Sequence, residues 1–173
     1  MTLPQNPAGP YEPEENYSVQ RRSELLAIIE QAPQTLREAV AGLSEAQLDT
    51  LYKNWSIRQI VHHIADSHVN CYIRFKWTLT EDHPTIKAYN ETHWSALEDS
   101  RTGDIAPTLV LFDGLHRRWL QLMRSMTDEQ WQRKFHHQES DKDVSLAAAL
   151  PQYAWHCRHH TGQIAWLRRQ EGW

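Results

Sequence analysis

The amino-acid sequence predicts an all-α protein built as a four-helix bundle, and three observations lead to that prediction. Apolar residues recur every three or four positions along four long segments, as they do on one face of a helix. Capping-box sequences, in which Ser or Thr is followed three residues later by Gln, occur at Ser44, Ser56 and Thr127. No long run alternates apolar and polar residues in the manner of a half-buried strand.

The chain begins with a proline-rich segment. Residues 1–16 contain four of its eight prolines. Proline at this density favours extended backbone over helix. We therefore expect an extended N-terminal arm that either wraps around the bundle or hangs loose, with Tyr11 and Tyr17 as candidate anchors.

The first helix is expected to begin near Ser18 and to bury a stripe of aliphatic residues. Pro33 lies inside the stripe and is expected to kink or reset the helix, because proline has no backbone N–H to donate. A short capped turn follows at residues 44–47. The aliphatic residues of the stripe are Leu25, Leu26, Ile28, Ile29, Leu36, Val40 and Leu43.

The second helix is expected to begin at the capping box of Ser56 and to end before His83. Residues 82–104 then form a long, polar segment that contains tryptophan. We expect a loop there, and loops of this length often carry function or cover a site.

The third helix is expected to follow Pro107, and the fourth is capped by Ser145 and continues towards the C-terminus. Pro151 lies near the first turns of the fourth helix and is expected to bend it.

One pattern occurs twice along the chain. Residues 43–48, LSEAQL, have a counterpart in residues 126–131, MTDEQW, and a capped, histidine-bearing helix follows each. Two such halves would pack with the two histidine-bearing helices side by side. We expect residues 1–173 to form a single domain, since this length supports one sizeable core.

The composition excludes several classes of partner. The formal net charge of −4 gives no reason to expect nucleic acid or anionic lipid. No apolar run approaches the roughly 18 residues of a spanning helix, and the N-terminus lacks the basic and apolar regions of an export signal. We therefore expect a cytoplasmic protein without a membrane segment, in which Cys71 and Cys157 are buried thiols.

Histidines on the second and fourth helices form the strongest chemical signal. His156 and His160 are four residues apart, so a helix directs both imidazoles to one side. His159 points away from that pair and is expected to face solvent or to form a hydrogen bond as a neighbour. His63 and His68 compete to supply a third nitrogen from the second helix. His63 is favoured because it lies on the rim of the apolar stripe, where an open metal site has solvent access.

The remaining histidines carry less weight. His68 and His116, taken singly, are typical of hydrogen-bonded core residues. His136 and His137 fall in a predicted polar loop.

Two ligands on one helix and a third on its neighbour would form an open three-histidine site for a divalent metal ion. The zinc-protease motif requires Glu directly after the first His, and Cys157 stands in that position. A base must therefore come from elsewhere. Asp66 and Glu91 are candidates, and no catalytic residue is assigned. Because the imidazoles must be deprotonated to bind metal, activity is expected to fall below about pH 6.

Two segments resemble the YfiT-like branch of the DinB superfamily. Residues 55–68, WSIRQIVHHIADSH, resemble the helix that carries the family's first histidine, and residues 153–164, YAWHCRHHTGQI, resemble its closing helix. The resemblance extends over nearly the whole chain. Further matching positions are Asn70, Tyr72, Arg74, Lys76, residues 115–119, Gly172 and Trp173.

The resemblance implies an up-down-down-up four-helix bundle whose metal is held by three histidines, one on the second helix and two on the fourth. These positions carry over to His63, His156 and His160, which decides between His63 and His68. The resemblance also implies a cytoplasmic homodimer that acts as a metal-dependent hydrolase. One divalent ion per subunit is expected, with Zn²⁺ as the first choice and Ni²⁺ as the alternative.

Three functions remain open at this stage. The first is a metal-dependent hydrolase that activates water and acts on a small-molecule substrate. The second is a metal-dependent S-transferase that uses a low-molecular-weight thiol, since the superfamily also contains such enzymes and isomerases; Arg74 or Lys76 would then hold the carboxylates of the thiol. The third is a metal-binding bundle without catalytic activity.

Overall fold

The computed structural model describes residue 4 and residues 6–173. Four long helices dominate this part of the chain, accompanied by four short helices and five short strands. In chain order the elements are α1 (Val19–Val40), α2 (Glu45–Leu48), β1 (Leu51–Tyr52), β2 (Trp55–Ser56), α3 (Ile57–Thr80), β3 (Thr85–Ile86), α4 (Glu91–Ser95), α5 (Glu98–Thr102), α6 (Ile105–Arg124), α7 (Asp128–Gln132), β4 (Lys134–His137), β5 (Lys142–Ser145) and α8 (Leu146–Glu171).

The four long helices confirm the predicted bundle, and their starts follow the predicted caps. Ser18, Ser56 and Ser145 cap α1, α3 and α8, and each hydroxyl accepts a hydrogen bond from the backbone N–H three residues on. The third long helix, α6, begins before Pro107 instead of after it, with Asp104 as its cap. Proline is tolerated there because the first helical turn needs no N–H donor.

The short strands were not expected from the sequence. β1 pairs with β2 antiparallel, while β4 pairs with β3 parallel and with β5 antiparallel. The predicted loop at residues 82–104 holds β3, α4 and α5, so that expectation was wrong in part. His136 and His137, also expected in a loop, lie on β4. Strands of two to four residues are too short to show an alternating pattern.

The directions of the long helices follow from the residues that meet across the bundle. α1 and α8 meet start to start and end to end, so they are parallel, and so are α3 and α6. α3 and α8 are antiparallel, which makes the order up-down-down-up. The contacts that define these directions are Tyr17–Ala147 and Ala39–Arg168 for α1 with α8, His62–Thr108 and Phe75–Trp119 for α3 with α6, and His63–His160 and Arg74–Tyr153 for α3 with α8.

The parallel packing of α3 and α6 explains the long segment between them. Consecutive parallel helices require the chain to return along the bundle before the second helix begins. The 24 residues of α3 correspond to a length of about 36 Å. Residues 81–104 make this return, and β3 within them is held to β4 by backbone pairing.

The bundle interior combines large apolar side chains with histidine. Phe75, Phe112 and Trp119 are among the largest fully buried side chains. His68 and His116 are buried beside them, with 0% and 1% of their surface exposed. A histidine at this depth is disfavoured in its charged form and needs hydrogen-bond partners for both ring nitrogens.

The N-terminal arm packs against α8 and therefore wraps the bundle. The indole Nε1 of Trp155 donates to the backbone oxygen of Gly9 at 2.9 Å, and the Tyr11 ring lies 5.7 Å from the Trp155 ring. Pro7 lies so close to Gly162 that a Cβ on that glycine would come within 2.9 Å of the proline ring. The absence of a side chain at residue 162 thus permits this contact.

Pro151 ties the arm to α8 by a second route. Proline cannot donate to the carbonyl four residues earlier, so it leaves the backbone oxygen of Ala147 without its helical donor. The hydroxyl of Tyr17 donates to that oxygen at 2.7 Å. Neither Pro151 nor Pro33 ends its helix: α8 and α1 both continue through their proline.

Tyr17→Phe is expected to lower the free energy of unfolding by about 1–2 kcal/mol, because it leaves the Ala147 carbonyl without a donor. Chemical denaturation measures the change. Tyr72→Phe is the control, since the Tyr72 hydroxyl has no hydrogen bond among the described residues and its loss should be nearly neutral. Equal effects of both substitutions would contradict this role of Tyr17.

Candidate metal centre

Three imidazoles from two antiparallel helices meet inside the bundle. His156 and His160 are one turn apart on α8, and His63 faces them from α3. One ring nitrogen from each lies within 4.8 Å of the other two, and the Nε2 atoms of His63 and His156 are 3.2 Å apart. The structure therefore brings together the three residues that the sequence analysis proposed as ligands.

The spacing of the His63 and His156 nitrogens fits a tetrahedral metal ion. Bonds of about 2.0–2.1 Å to a tetrahedral Zn²⁺ place two ligand nitrogens about 3.3 Å apart. The distance of 3.2 Å between His63 and His156 agrees with this value. With three nitrogen donors, a fourth coordination position is left for a reactant.

The outer nitrogen of His160 is held by an amide. Its Nδ1 donates to Oε1 of Gln163 at 2.8 Å, and Nε2 of the same amide donates to Nε2 of His159 at 3.1 Å. This pairing leaves the Nε2 lone pair of His160 available for a metal. His159 is buried rather than facing solvent, so the second of its two expected roles, that of a hydrogen-bonding neighbour, is the one observed.

The outer nitrogen of His156 is held by other histidines. Its Nδ1 lies 3.3 Å from Nε2 of His68, and Nδ1 of His68 lies 3.0 Å from Nε2 of His116. Nδ1 of His116 donates to the backbone oxygen of Ile29 at 2.7 Å. His68 thus does not belong to the three-nitrogen cluster but contacts one of its members.

Burial keeps the three imidazoles neutral. It lowers the pKa of His63 to about 4, and repulsion from His159 adds to the effect. Burial likewise places the pKa of His156 and of His160 well below the ordinary value, and the neighbouring imidazoles lower each further. Neutral imidazole is the form that binds metal. With a pKa of about 4, His63 stays neutral below pH 6 in the metal-free protein. The decline in activity expected below about pH 6 stays a prediction.

Trp55 covers the cluster, and Trp155 covers its neighbour His159. The Trp55 ring lies 4.5 Å from the ring of His63 and 6.3 Å from that of His160. Trp155 stacks on His159 at 4.6 Å. The β1–β2 pairing directly before α3 holds Trp55 in place, as Tyr52 and Trp55 are partners in its register.

A pocket of about 420 Å³ lies beside His156. Arg74, Glu91, His137 and Tyr153 are among its other lining residues. The return segment after α3 and the strand β4 thus both contribute to its walls. A small molecule in this pocket would contact one of the three proposed ligands directly.

The guanidinium of Arg74 retains hydrogen-bonding capacity on the pocket wall. Its Nε is buried without a partner among the described residues, and its Nη1 contacts the hydroxyl of Tyr153 at a long 3.5 Å. A buried donor without an acceptor costs about 1–3 kcal/mol. A ligand with an acidic group would supply the missing acceptor. Lys76, the other cation considered from the sequence, is exposed and is not among the residues that line the pocket.

The two candidate bases are placed differently. Glu91 lines the pocket from an exposed position, and partial burial together with the charge of Glu139 raises its pKa. Asp66 is not among the pocket residues, although burial and the charge of Asp99 raise its pKa to about 6. Of these two candidates, Glu91 is the one that lines the pocket, where Glu139 is also present.

Two features of the site were not found by reasoning from sequence. His137 was given little weight but lines the pocket. His68, His116 and Cys157 also form a close buried cluster, with one potential ligand atom of each within 4.8 Å of the others. The parallel packing of α3 and α6 creates this second cluster, and no local spacing in the sequence reveals it.

Comparison with known proteins shows which family this chain resembles. The model of the DinB superfamily matches residues 28–164. The chain is 43% identical over 169 residues to the "Putative metal-dependent hydrolase YfiT" of Bacillus subtilis, covering 96% of this chain and 95% of that protein. It is 40% identical, with the same coverage, to a "Putative metal-dependent hydrolase" of Geobacillus thermodenitrificans.

Two solved structures resemble the fold. The structure of Bacillus subtilis YfiT, described as "a probable metal-dependent hydrolase with an unusual four-helix bundle topology", superposes with a TM-score of 0.94 over 97% of both chains. A mycothiol-dependent maleylpyruvate isomerase superposes with a TM-score of 0.67 at 14% identity, covering 82% of this chain and 60% of that one. This second similarity concerns the fold alone.

His63→Ala and His156→Ala are expected to reduce the bound divalent metal from about one ion per chain to a small fraction, because two imidazoles hold a metal much less tightly than three. Elemental analysis of the purified proteins measures the occupancy. His83→Ala removes an exposed histidine outside the cluster and should leave it unchanged. Full occupancy in either cluster variant would rule out the proposed ligand set.

The metal-free protein is expected to lose stability as the pH falls from about 6.5 towards 4. Burial lowers the pKa of His116 to about 4 in the folded state, so the unfolded chain takes up the proton first and unfolding becomes easier. One such group contributes a slope of up to about 1.4 kcal/mol per pH unit. Denaturant unfolding at several pH values should show a shallower slope for His116→Gln than for wild type. The exposed His83→Gln serves as control, and three identical slopes would contradict the argument.

Proposed function

This chain belongs to the DinB superfamily, and we propose that it is a metal-dependent hydrolase that acts on a small-molecule substrate. The observation that carries the proposal is the convergence of three neutral imidazoles beside a pocket of about 420 Å³. We propose His63, His156 and His160 as ligands of one divalent ion per subunit, with Zn²⁺ as the first choice and Ni²⁺ as the alternative. Imidazole nitrogen suits both ions.

When bound, a divalent ion with an open coordination position supplies Lewis acidity that polarises a carbonyl and makes water more acidic. The protein's own groups complete the chemistry from the pocket walls. Glu91 accepts a proton from the attacking water, and its raised pKa brings it closer to working near neutral pH. Glu91 would thus take the role of the Glu that directly follows the first histidine in zinc proteases. In this chain Cys157 occupies that position.

Arg74 selects the substrate by charge. A guanidinium with an unused buried donor on the pocket wall suits a carboxylate or a similar acidic group. We therefore propose that the substrate carries an anionic group at the Arg74 end of the pocket and its scissile bond at the His156 end.

The same guanidinium supports a second candidate function. In a metal-dependent S-transferase, Arg74 would hold a carboxylate of a low-molecular-weight thiol while the sulfur approaches the metal centre. A base such as Glu91 can accept the proton of water or of a thiol, so it serves either reaction. Hydrolysis is our first choice because the chain is 43% identical to a "Putative metal-dependent hydrolase", whereas the thiol-dependent isomerase shares the fold alone. A metal-binding bundle without catalytic activity is the third possibility.

We also propose that the protein is a cytoplasmic homodimer, as the family resemblance implies. None of the helices in the described part of the chain combines the length and the apolar composition that a bilayer crossing requires.

The test measures release of nitrophenol by the Zn²⁺-loaded protein from neutral 4-nitrophenyl acetate and from the anionic mono-4-nitrophenyl glutarate, with and without glutathione. Hydrolysis should proceed without thiol, be lost in His156→Ala and fall by about 100-fold or more in Glu91→Gln. Product that appears only with glutathione would establish the transferase instead. Metal binding without turnover of either ester would favour the non-catalytic bundle.

The substrate preference is tested with two matched cation variants on α3. Arg74→Met should lower kcat/KM for the anionic ester about tenfold more than for the neutral ester, since it removes a charge-assisted hydrogen bond. Lys76→Met removes an exposed cation two residues away and should leave the ratio unchanged. Equal effects of Arg74→Met on both esters would exclude an anionic substrate group at this position.

A further inference from the structure

A line of hydrogen-bonded rings crosses the bundle behind the metal centre. It starts at His156 on α8, passes through His68 on α3 and His116 on α6, and ends at the backbone oxygen of Ile29 on α1. The three distances along the line are 3.3, 3.0 and 2.7 Å. All four long helices therefore contribute one member.

The last member of the line is available because of a proline. In a regular helix the oxygen of Ile29 would accept from the N–H of residue 33, but Pro33 has no N–H. This carbonyl is therefore free of its helical donor and accepts from His116 instead. Pro33 thus prepares a fixed acceptor at the far end of the line.

The fixed acceptor determines the proton position on every ring. A carbonyl oxygen only accepts, so Nδ1 of His116 carries the proton and Nε2 of His116 is the acceptor. Nδ1 of His68 must then donate to it, which makes Nε2 of His68 an acceptor in turn. Nδ1 of His156 donates to that atom. The Nε2 atom of His156, which faces His63, is therefore left with its lone pair.

We propose that His68 and His116 are positioning residues that hold His156 in the one tautomer able to bind metal through Nε2. The proposal rests on the proposed role of His156 as a ligand, but its first consequence concerns the metal-free protein. Without the line, His156 could carry its proton on Nε2, and that proton would occupy the position of the metal. The ring would then have to move its proton from Nε2 to Nδ1 before a metal could bind.

A second metal site at His68, His116 and Cys157 is the competing explanation for the same cluster. Burial raises the pKa of the Cys157 thiol far above its ordinary value, which disfavours the thiolate that a metal requires. Nδ1 of His68 already lies at hydrogen-bond distance from His116. An ion between them would also break the line and leave Nδ1 of His156 without its acceptor. The hydrogen-bonded line gives a partner to both ring nitrogens of His68 and His116 and to Nδ1 of His156.

The test reads the tautomers directly in metal-free protein labelled with ¹⁵N-histidine, by long-range ¹H–¹⁵N correlation. In wild type, His156, His68 and His116 should each carry the proton on Nδ1. In His116→Leu the donor of His68 has no acceptor, so His68 can donate through Nε2 and His156 should populate the Nε2–H form. His116→Gln keeps one donor and one acceptor and should restore the wild-type pattern.

Metal affinity provides the second readout, measured by competition titration with Zn²⁺. Loss of such an outer partner weakens metal binding by about 10–100-fold, and this is the loss expected for His116→Leu, with His116→Gln close to wild type. Phe112→Leu is the structural control. The Phe112 ring packs 4.0 Å from that of His116, so this variant disturbs the same part of the core but leaves the line intact, and its affinity should not change.

Several results would overturn the proposal. If His156 of the wild-type protein carries its proton on Nε2, the proposal is overturned. This result needs no variant, so it decides the question even if His116→Leu fails to fold. Equal tautomers and affinities in His116→Leu and wild type would also overturn it. Two ions per chain in wild type and one in His116→Leu would establish the second metal site instead. Failure of wild type to bind Zn²⁺ would reject the proposed function, whereas the tautomer measurement would still decide the role of the line.

Discussion

An imidazole removed from water keeps one donor and one acceptor that both need partners, and this requirement organises the interior of the protein. The positive form is disfavoured by burial, so the rings remain neutral and each proton must point at a defined acceptor. For His116, His68, His156 and His160 the bundle supplies partners from the backbone carbonyl of Ile29, the amide of Gln163 and other imidazoles. Nδ1 of His159, by contrast, is buried without a partner among the described residues. One ring nitrogen from each of His63, His156 and His160 lies in the cluster that we propose holds a metal ion.

The parallel packing of α3 and α6 makes this arrangement possible. It places His68 beside His116, although the two residues are 48 positions apart in the chain. It also forces the chain to return between the two helices, and that return segment supplies Glu91 to the pocket. The long helices thus provide the proposed ligands and their partners, while the connection provides Glu91, one of the two glutamates that line the pocket. A bundle with only short turns would lack that second contribution.

The two sides of His156 have different chemistry. Towards the pocket it adjoins Arg74, Glu91 and Tyr153, where charged and polar groups can meet a substrate. Towards the core it contacts His68, which is fully buried among aromatic rings such as Phe112 and Trp119. His156, as a proposed ligand, would combine a fixed geometry on the buried side with access for a reactant on the pocket side.

Local patterns in the sequence were sufficient for the helices and for most of the proposed ligand set. Helical periodicity and capping residues depend on neighbours within one turn, so Ser18, Ser56 and Ser145 indicated where α1, α3 and α8 begin. The spacing of His156 and His160 belongs to the same class of signal. The choice of His63 over His68 needed the family resemblance, because both residues fit the spacing.

By itself, then, the sequence determined the bundle, its caps and the pair of histidines on one helix face, since these follow from a repeat of 3.6 residues that each segment carries alone. The tertiary structure decided the rest: the short strands, the pocket position of Glu91, the burial of His159 and the line from His156 to Ile29. Those features arise where side chains from distant segments meet. Their partners are selected by helix direction and packing, which no local repeat encodes.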